Sequence, residues 1–430
     1  MTTAQVGYTP VHRWVKHVLG HTHTTVIATI AWAVLCLLVA QRVTPAALAR
    51  ALPGEHAGSG RSRLRRVRRW WSGPPLELAL ISPALIRLAL PVLVGAQSVV
   101  GALDTTRLGP WAVWLAGIVI AGRTLPIGWA VIPYPWPKGR FRATTLALVQ
   151  QLQQAFPVGV HWTLVADRGF PSAALFAQLR QGRTGFSVRL RLSDWVMVGR
   201  VYAMVVDHLE AGRLRVGQRT AAMIGRGQPH QPLVPGWVVV SAAVAALPKH
   251  KQNPGTLRER AKRAKAHAQH RAHKQGRKTK LPSVAAQRYA QTWVLFSTAP
   301  TVAQAVAEYA GRMSIEETYR DWHHYWAVRA AVATLPTEAM VARLVGVVCL
   351  AYTVQMHLGQ RVSADPIGQQ RRAQWTATNR VSWFWCGHQL FDDPGYDWSG
   401  WLAQQWESLG LLGAAAPVTS VSKPGLQKAA

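Results

Sequence analysis

Two carboxylates, Asp104 and Asp167, each close an apolar run in a chain with 18 acidic residues against 49 basic ones. The segments are GALDTTRL (101–108) and TLVADRGF (163–170). An acid at the carboxyl tip of a strand in an α/β unit is well placed for a site. Taken singly, each reads more simply as the cap of the following helix or turn. Held close together, two carboxylates repel unless a cation lies between them. Mg²⁺ takes oxygen ligands, commonly one or two carboxylates with water and phosphate oxygens. That chemistry is phosphoryl transfer, and it asks for a third acid. Glu316 is the candidate. In YAGRMSIEETYRDWH (309–323), Tyr309, Arg312, Glu316 and His323 follow one another at intervals of 3, 4 and 7. At about 100° per residue, one helix gathers all four within an arc of roughly 60°. The plainer reading is a surface stripe with an Arg–Glu pair worth a few tenths of a kcal/mol. Gly311 within such a helix costs about 1 kcal/mol relative to Ala.

The elements that must position these residues follow from periodicity. Residues 1–90 read as helical. Residues 92–108 form an apolar run ending near Asp104, and WAVWLAGIVIAG with TLPIGWAVIP form two β-rich runs around a turn at Ala121 and Gly122. TTLALVQQLQQAF (144–156) has helical spacing at Leu146, Val149, Leu152 and Phe156. GVHWTLVADRGF is a strand, and PSAALFAQLRQG (171–182) a helix with Pro171 near its first turn and Gly182 at its end. This succession is a mixed α/β unit. Four short runs between residues 183 and 244 read as antiparallel strands. A Lys/Arg-rich block, 249–280, follows them with a single acid, Glu259. QRYAQTWVLFST (287–298) returns to strand character, 301–331 reads as one long helical stretch, and 337–360 as a buried helix. Residues 416–430 read as a loose tail.

Composition narrows the class. A net charge of +31 favours a polyanionic partner, with nucleic acid first and an anionic membrane surface as the competitor. RSRLRRVRRWW (61–71) places Arg61, Arg63, Arg65, Arg66, Arg68 and Arg69 around a helix that turns Leu64, Val67 and Trp71 inward. Phosphate contact is the reading preferred here to a merely solvated face. The 20 tryptophans are read as packing before base stacking. Cys36, Cys349 and Cys386 are far apart and lack metal spacing, which suits a reducing cytoplasm. No signal peptide is evident. The apolar stretch 24–40 stands at the lower edge of a membrane span and is read as a buried helix, with Thr24 or Thr25 near its cap.

With these residues in view, the chain resembles bacterial insertion-sequence transposases of the insertion-sequence-4 type, whose signature is Y-x2-R-x3-E-x6-K. Tyr309, Arg312 and Glu316 match the spacing. His323 stands where the family has Lys. LDTTRL resembles the family's first-Asp strand, LVADRGF its second, and MSIEETYRDW its signature helix. The resemblance covers residues 92–331, with four motifs in order.

The resemblance implies an α/β fold: an RNase H-like catalytic core interrupted by a β-rich insertion, with an N-terminal helical domain. The expected divisions are 1–90, helical and DNA-end-binding; 91–182, the first part of the core; 183–290, the insertion with its basic segment; 291–335, completion of the core with the third-acid helix; and 336–430, a C-terminal helical region and tail. Asp104, Asp167 and Glu316 are the expected catalytic and metal-binding residues, holding two Mg²⁺ ions, with Mn²⁺ as a substitute. The expected reaction is metal-dependent cleavage and transfer of DNA strands, with transposon ends and target DNA as partners. A homodimer on paired ends is implied, with neither a small-molecule cofactor nor a membrane, in the cytoplasm with the nucleoid. Tyr309 is expected near an unpaired terminal base and Arg312 on the adjacent phosphate; Arg168, Arg65, Arg66, Arg68 and Arg69 are further DNA contacts. A neutral His323 would hold phosphate more weakly than Lys, so Arg320 or Arg329 could take its part. The alternatives are an inactive or non-transposing nuclease-like derivative and, further off, a membrane-associated basic protein.

Overall fold

The computed structural model describes residues 3–20, 22–52, 59–73, 76, 78–90, 99–226, 232–241, 292–364, 366–375 and 382–392. The basic block 249–280, the tail 416–430, and parts of the runs at 92–98 and 287–291 lie outside the described residues. The described part is mixed α/β and divides into two compact units, Met1–Trp162 with Gly311–Ala430, and Thr163–Ala310.

The first unit begins with α1 (Thr3–Leu19), α2 (Thr24–Ala40), α3 (Pro45–Ala51), α4 (Gly60–Trp71) and α5 (Leu78–Ala89). Helix α2 is apolar all round, so it is stable only when covered; Ile30, Val34, Leu37 and Leu38 are fully buried. His23 is its N-cap, accepting the Thr25 N–H at 3.3 Å. Ser59 caps α4, and Val67, Trp70 and Trp71 face inward. Three antiparallel strands follow, β1 (Val99–Leu108), β2 (Trp111–Ile120) and β3 (Arg123–Pro133), in the order β3-β2-β1. The central strand β2 is a continuous apolar run, nearly all buried, as a strand covered on both faces must be. Its turn into β3 uses Ala121 and Gly122, both at positive φ (48° and 73°), the backbone that a two-residue hairpin demands. Helix α6 (Arg140–Ala155) buries Leu148, Val149 and Leu152. The sequence periodicity placed Leu146 there; it is only half-buried.

The second unit holds β4 (Trp162–Ala166), α7 (Ala173–Gln181), β5 (Gly185–Arg189), β6 (Trp195–Val198), β7 (Val201–Met204), α8 (Val205–Glu210), β8 (Arg219–Ile224), β9 (Val234–Val240), β10 (Val294–Ser297) and α9 (Val302–Ala310). Its strands run in the order β4-β5-β10-β9-β8-β6-β7. The β4–β5 pair is parallel and the others are antiparallel. The parallel pair is joined through α7, capped by Ser172 with Pro171 just before it.

The chain then returns to the first unit with α10 (Met313–His324), α11 (Val328–Val332), α12 (Glu338–Ala364), α13 (Pro366–Trp375) and α14 (Trp383–Asp392). Helix α12 is the axis of this unit and packs on α2, α4, β3, α13 and α14. By length and composition α12 could cross a membrane, and α2 with α3 passes the same test only as a pair bent by 96°. The apolar window of α12 is 83% buried inside the fold.

One expectation is corrected. The stretch 301–331 is three helices, because the chain turns at Gly311 and Arg312 and again before Val328. The helices of residues 1–90 are part of the first unit and share its core with α12 and β3. The two compact units divide the chain at 162/163 and 310/311, and β4, α7 and β5 share their sheet with the β-rich segment. Helices α13 and α14 fall within the C-terminal helical region expected over 336–430, but no local signal set their individual bounds.

Candidate active site

Asp104 lies midway along β1 and not at its end, since the strand continues to Leu108. Its carboxylate is held on both oxygens. Oδ1 accepts the Thr105 N–H at 2.7 Å, and Oδ2 accepts Arg312 Nη1 at 3.1 Å. The other terminal nitrogen of Arg312 donates to Glu316 Oε1, an i,i+4 pair on the first turn of α10. One guanidinium therefore bridges two of the three expected acids. The Arg312 side chain is 7% exposed, Asp104 17% and Glu316 42%. A charge so buried is stable only when it is paired, so removing either carboxylate leaves Arg312 poorly compensated.

The front of α10 faces an open cavity of about 690 Å³ lined by Asp104, Thr105, Thr106, Glu316, Tyr319, Arg320, His323 and His324. Glu316, Tyr319, Arg320 and His323 follow at i, i+3, i+4 and i+7, the spacing of one helical face. Tyr319 donates its hydroxyl to the Asp104 carbonyl at 3.0 Å, tying α10 to β1. Burial, then the Asp104 charge, pushes the Tyr319 phenol well above its usual range, so it stays a neutral donor. Burial, then Arg329, lowers the His323 imidazole below its ordinary value. His323 is therefore neutral at pH 7, whereas a Lys would carry charge. Arg320 is exposed at the same cavity and pairs with Glu317 at 2.6 Å.

The back of α10 fixes this face. Arg123 Nε donates to Asp321 at 2.7 Å, and the Tyr352 hydroxyl donates to the same carboxylate at 2.9 Å. Thr318 accepts the Thr124 N–H at 2.9 Å and returns its own hydroxyl proton to the Ser314 carbonyl at 3.1 Å. Burial raises the Asp321 carboxyl above the ordinary value against the opposing pull of Arg123. Sequence reasoning missed Tyr319 and Asp321. The available signal was helical spacing: Tyr319 follows Glu316 by three, and Thr318 and Asp321 lie on the opposite face.

Asp167, Arg168 and Tyr309 belong to the second unit. Asp167 follows β4 directly, and its carbonyl accepts the Phe170 N–H at 3.0 Å in a turn. Tyr309, buried and edge-on to Trp293, donates its hydroxyl to Asp167 Oδ1 at 3.3 Å. The expected single face of Tyr309, Arg312, Glu316 and His323 is thus divided: Tyr309 is in the last turn of α9, Arg312 is the N-cap of α10, and only Glu316 and His323 share a helix. Arg312, the residue expected on phosphate, joins two carboxylates. Arg168 has an exposed side chain, and its carbonyl accepts Arg191 Nε at 2.8 Å. Arg65, Arg66, Arg68 and Arg69 are all exposed on α4.

Carboxylate oxygen is the donor type that a hard divalent ion takes. Asp104 and Glu316 offer carboxylate oxygens to one cavity, and a cation already lies between them. Among the described residues no three or more His, Cys, Asp or Glu side chains are grouped as one ion's ligands. Compared with known proteins, the chain matches no family model and no curated relative.

Proposed function

We propose that the chain is a DNA transposase of the three-acid type, which binds the ends of its insertion sequence and cleaves and transfers strands. The observation that carries this reading is the convergence of Asp104 and Glu316, 212 positions apart in sequence, on one buried guanidinium and one open cavity. The succession of three antiparallel strands, a helix, a strand, a helix and a parallel strand supports an RNase H-like core. The charge of +31 supports a DNA partner, with the work placed beside the nucleoid.

Asp104, Asp167 and Glu316 would hold two Mg²⁺ or Mn²⁺ ions. Bound there, such ions supply activation of a water or a DNA 3′-hydroxyl and stabilisation of the leaving oxygen in an in-line displacement. The chain's own residues do the rest. Arg312 keeps two carboxylates together that would otherwise repel. Tyr319 fixes the β1 backbone at Asp104. Arg320 offers an exposed guanidinium to a phosphate at the cavity rim, the charge that neutral His323 does not supply. Tyr309 steadies the Asp167 carboxylate from behind. The exposed arginines of α4 hold the duplex backbone.

The test is DNA carrying the sequences that flank the gene, incubated with the protein and Mg²⁺, Mn²⁺ or chelator. Metal-dependent nicking followed by strand joining is expected. Nicking without joining would make the protein a nuclease, and binding without either would make it a catalytically silent DNA-binding derivative.

A further inference from the structure

No Asp or Glu occurs between Asp104 and Asp167. Within that acid-free stretch one tryptophan stands out. Trp136 is 40% exposed, whereas Trp111, Trp114, Trp129 and Trp162 of the same stretch are buried. It lies in the loop from β3 to α6, YPWPKGRFR (134–142), between two prolines that restrict the backbone.

The ring is braced from several sides. Tyr134 packs against it at 5.3 Å and 74°, Phe141 at 5.1 Å and 47°, and Trp114 at 6.4 Å and 63°. Trp114 is itself fully buried and anchored by its indole N–H to Thr145 at 3.1 Å. The exposed indole is thus a rigid surface backed by the core of the first unit. Cations surround it. Arg107 lies over the Tyr134 ring at 4.4 Å, and Lys138, Arg140 and Arg142 are exposed in the same loop and the first turn of α6. Of the four, Arg140 meets a carboxylate, Glu338, at 3.1 Å.

A fixed, half-open aromatic ring among cations suits an unpaired nucleobase and its flanking phosphates. Base stacking needs a π-face and tolerates any sequence, and neighbouring cations follow the backbone. We propose that Trp136, with Arg107, Lys138 and Arg142, is a stacking site for an unpaired DNA base. Arg107 is three residues beyond Asp104 on β1, an odd step that turns the two side chains to opposite faces of the strand, so the base site and that acid lie on opposite faces of the sheet. The inference rests on the transposase reading and names where it takes a frayed or single-stranded segment.

The experiment measures anisotropy of fluorescein-labelled oligothymidylate and of a blunt duplex of equal charge. The full chain is compared with Trp136→Ala, Trp136→Phe and Arg107→Gln/Lys138→Gln/Arg142→Gln, with melting curves for each. Trp136→Ala is expected to weaken oligothymidylate binding about tenfold and to leave duplex binding unchanged, while Trp136→Phe retains most of the affinity. The triple variant is expected to weaken both ligands. Equal binding of oligothymidylate by Trp136→Ala and the unaltered protein would overturn the site. So would an equal loss on duplex, or displacement of oligothymidylate by polyglutamate at matched charge, which would mark a surface for acidic protein. Asp104→Asn separates the two proposals, since it should bind oligothymidylate normally while failing to cleave.

Discussion

At the residue scale the account turns on Arg312. A guanidinium this buried, with a carboxylate at each terminal nitrogen, should be costly to remove. Arg312→Gln is expected to destabilise the protein by about 3 kcal/mol, the cost of leaving a buried charge partner uncompensated. Asp104→Asn/Arg312→Gln is expected to lose less than the sum of the two single changes, measured by denaturant unfolding; strict additivity would show that the pair is not coupled. His357 gives a pH prediction. Burial lowers its pKa to about 4, below the ordinary value of 6.5. Because the folded value is depressed, the unfolded chain binds the proton first. The contribution is therefore full above about pH 6.5 and is lost as the pH falls toward 4. The loss is about 3 kcal/mol by pH 4. His357→Gln should flatten that part of the stability profile, and an unchanged profile would remove His357 as its source.

At the scale of elements, α4 and the α12–α14 crossing each carry a prediction. Changing Arg65, Arg66, Arg68 and Arg69 together to Gln should reduce the slope of log binding constant against log salt by about 3 to 4, if each meets a phosphate. An unchanged slope would show that α4 never touches the DNA backbone. Gly359 lets α12 approach α14 so closely that an added Cβ would lie 1.6 Å from the Trp383 carbonyl oxygen. Gly359→Ala is expected to cost about 1–3 kcal/mol, as forced overpacking does, read as a lower melting temperature; an unchanged melting temperature would mean that the helices separate freely. Element existence was largely legible because period and punctuation agree: the β2–β3 hairpin with its Ala121–Gly122 turn, the cap and stop of α7, and the covered α2 all follow from local signals. The break between Tyr309 and Arg312 was not legible. The 3, 4, 7 spacing fits one helix, and Gly311 with Arg312 ends it by forming a turn that no periodicity records. Helix α14 was hidden for another reason: Phe384, Cys386 and Leu390 are apolar because of α12, a partner that only the tertiary fold supplies.

At the scale of the whole molecule, charge and covered apolar helices make one argument. A chain of net charge +31 resists its own compaction, and a polyanion relieves that strain. Duplex DNA at low salt should therefore raise the melting temperature, and the gain should vanish as salt is added. The buried window of α12 implies that the protein stays in the supernatant in high salt without detergent; extraction only by detergent would favour the membrane reading. Expected site residues divide between the two compact units, with Asp104 and Glu316 in one and Asp167 in the other. Their joint action is the central claim. The decisive measurement is Mg²⁺-dependent strand cleavage by Asp104→Asn, Asp167→Asn and Glu316→Gln, each beside its DNA affinity and its melting curve. Cleavage abolished in all three, with DNA binding retained and each variant still folded at the assay temperature, is the expected result; Asp104→Asn and Glu316→Gln should melt lower because Arg312 loses a partner. Normal cleavage by any one of the three, or loss of DNA binding in all of them, would contradict it.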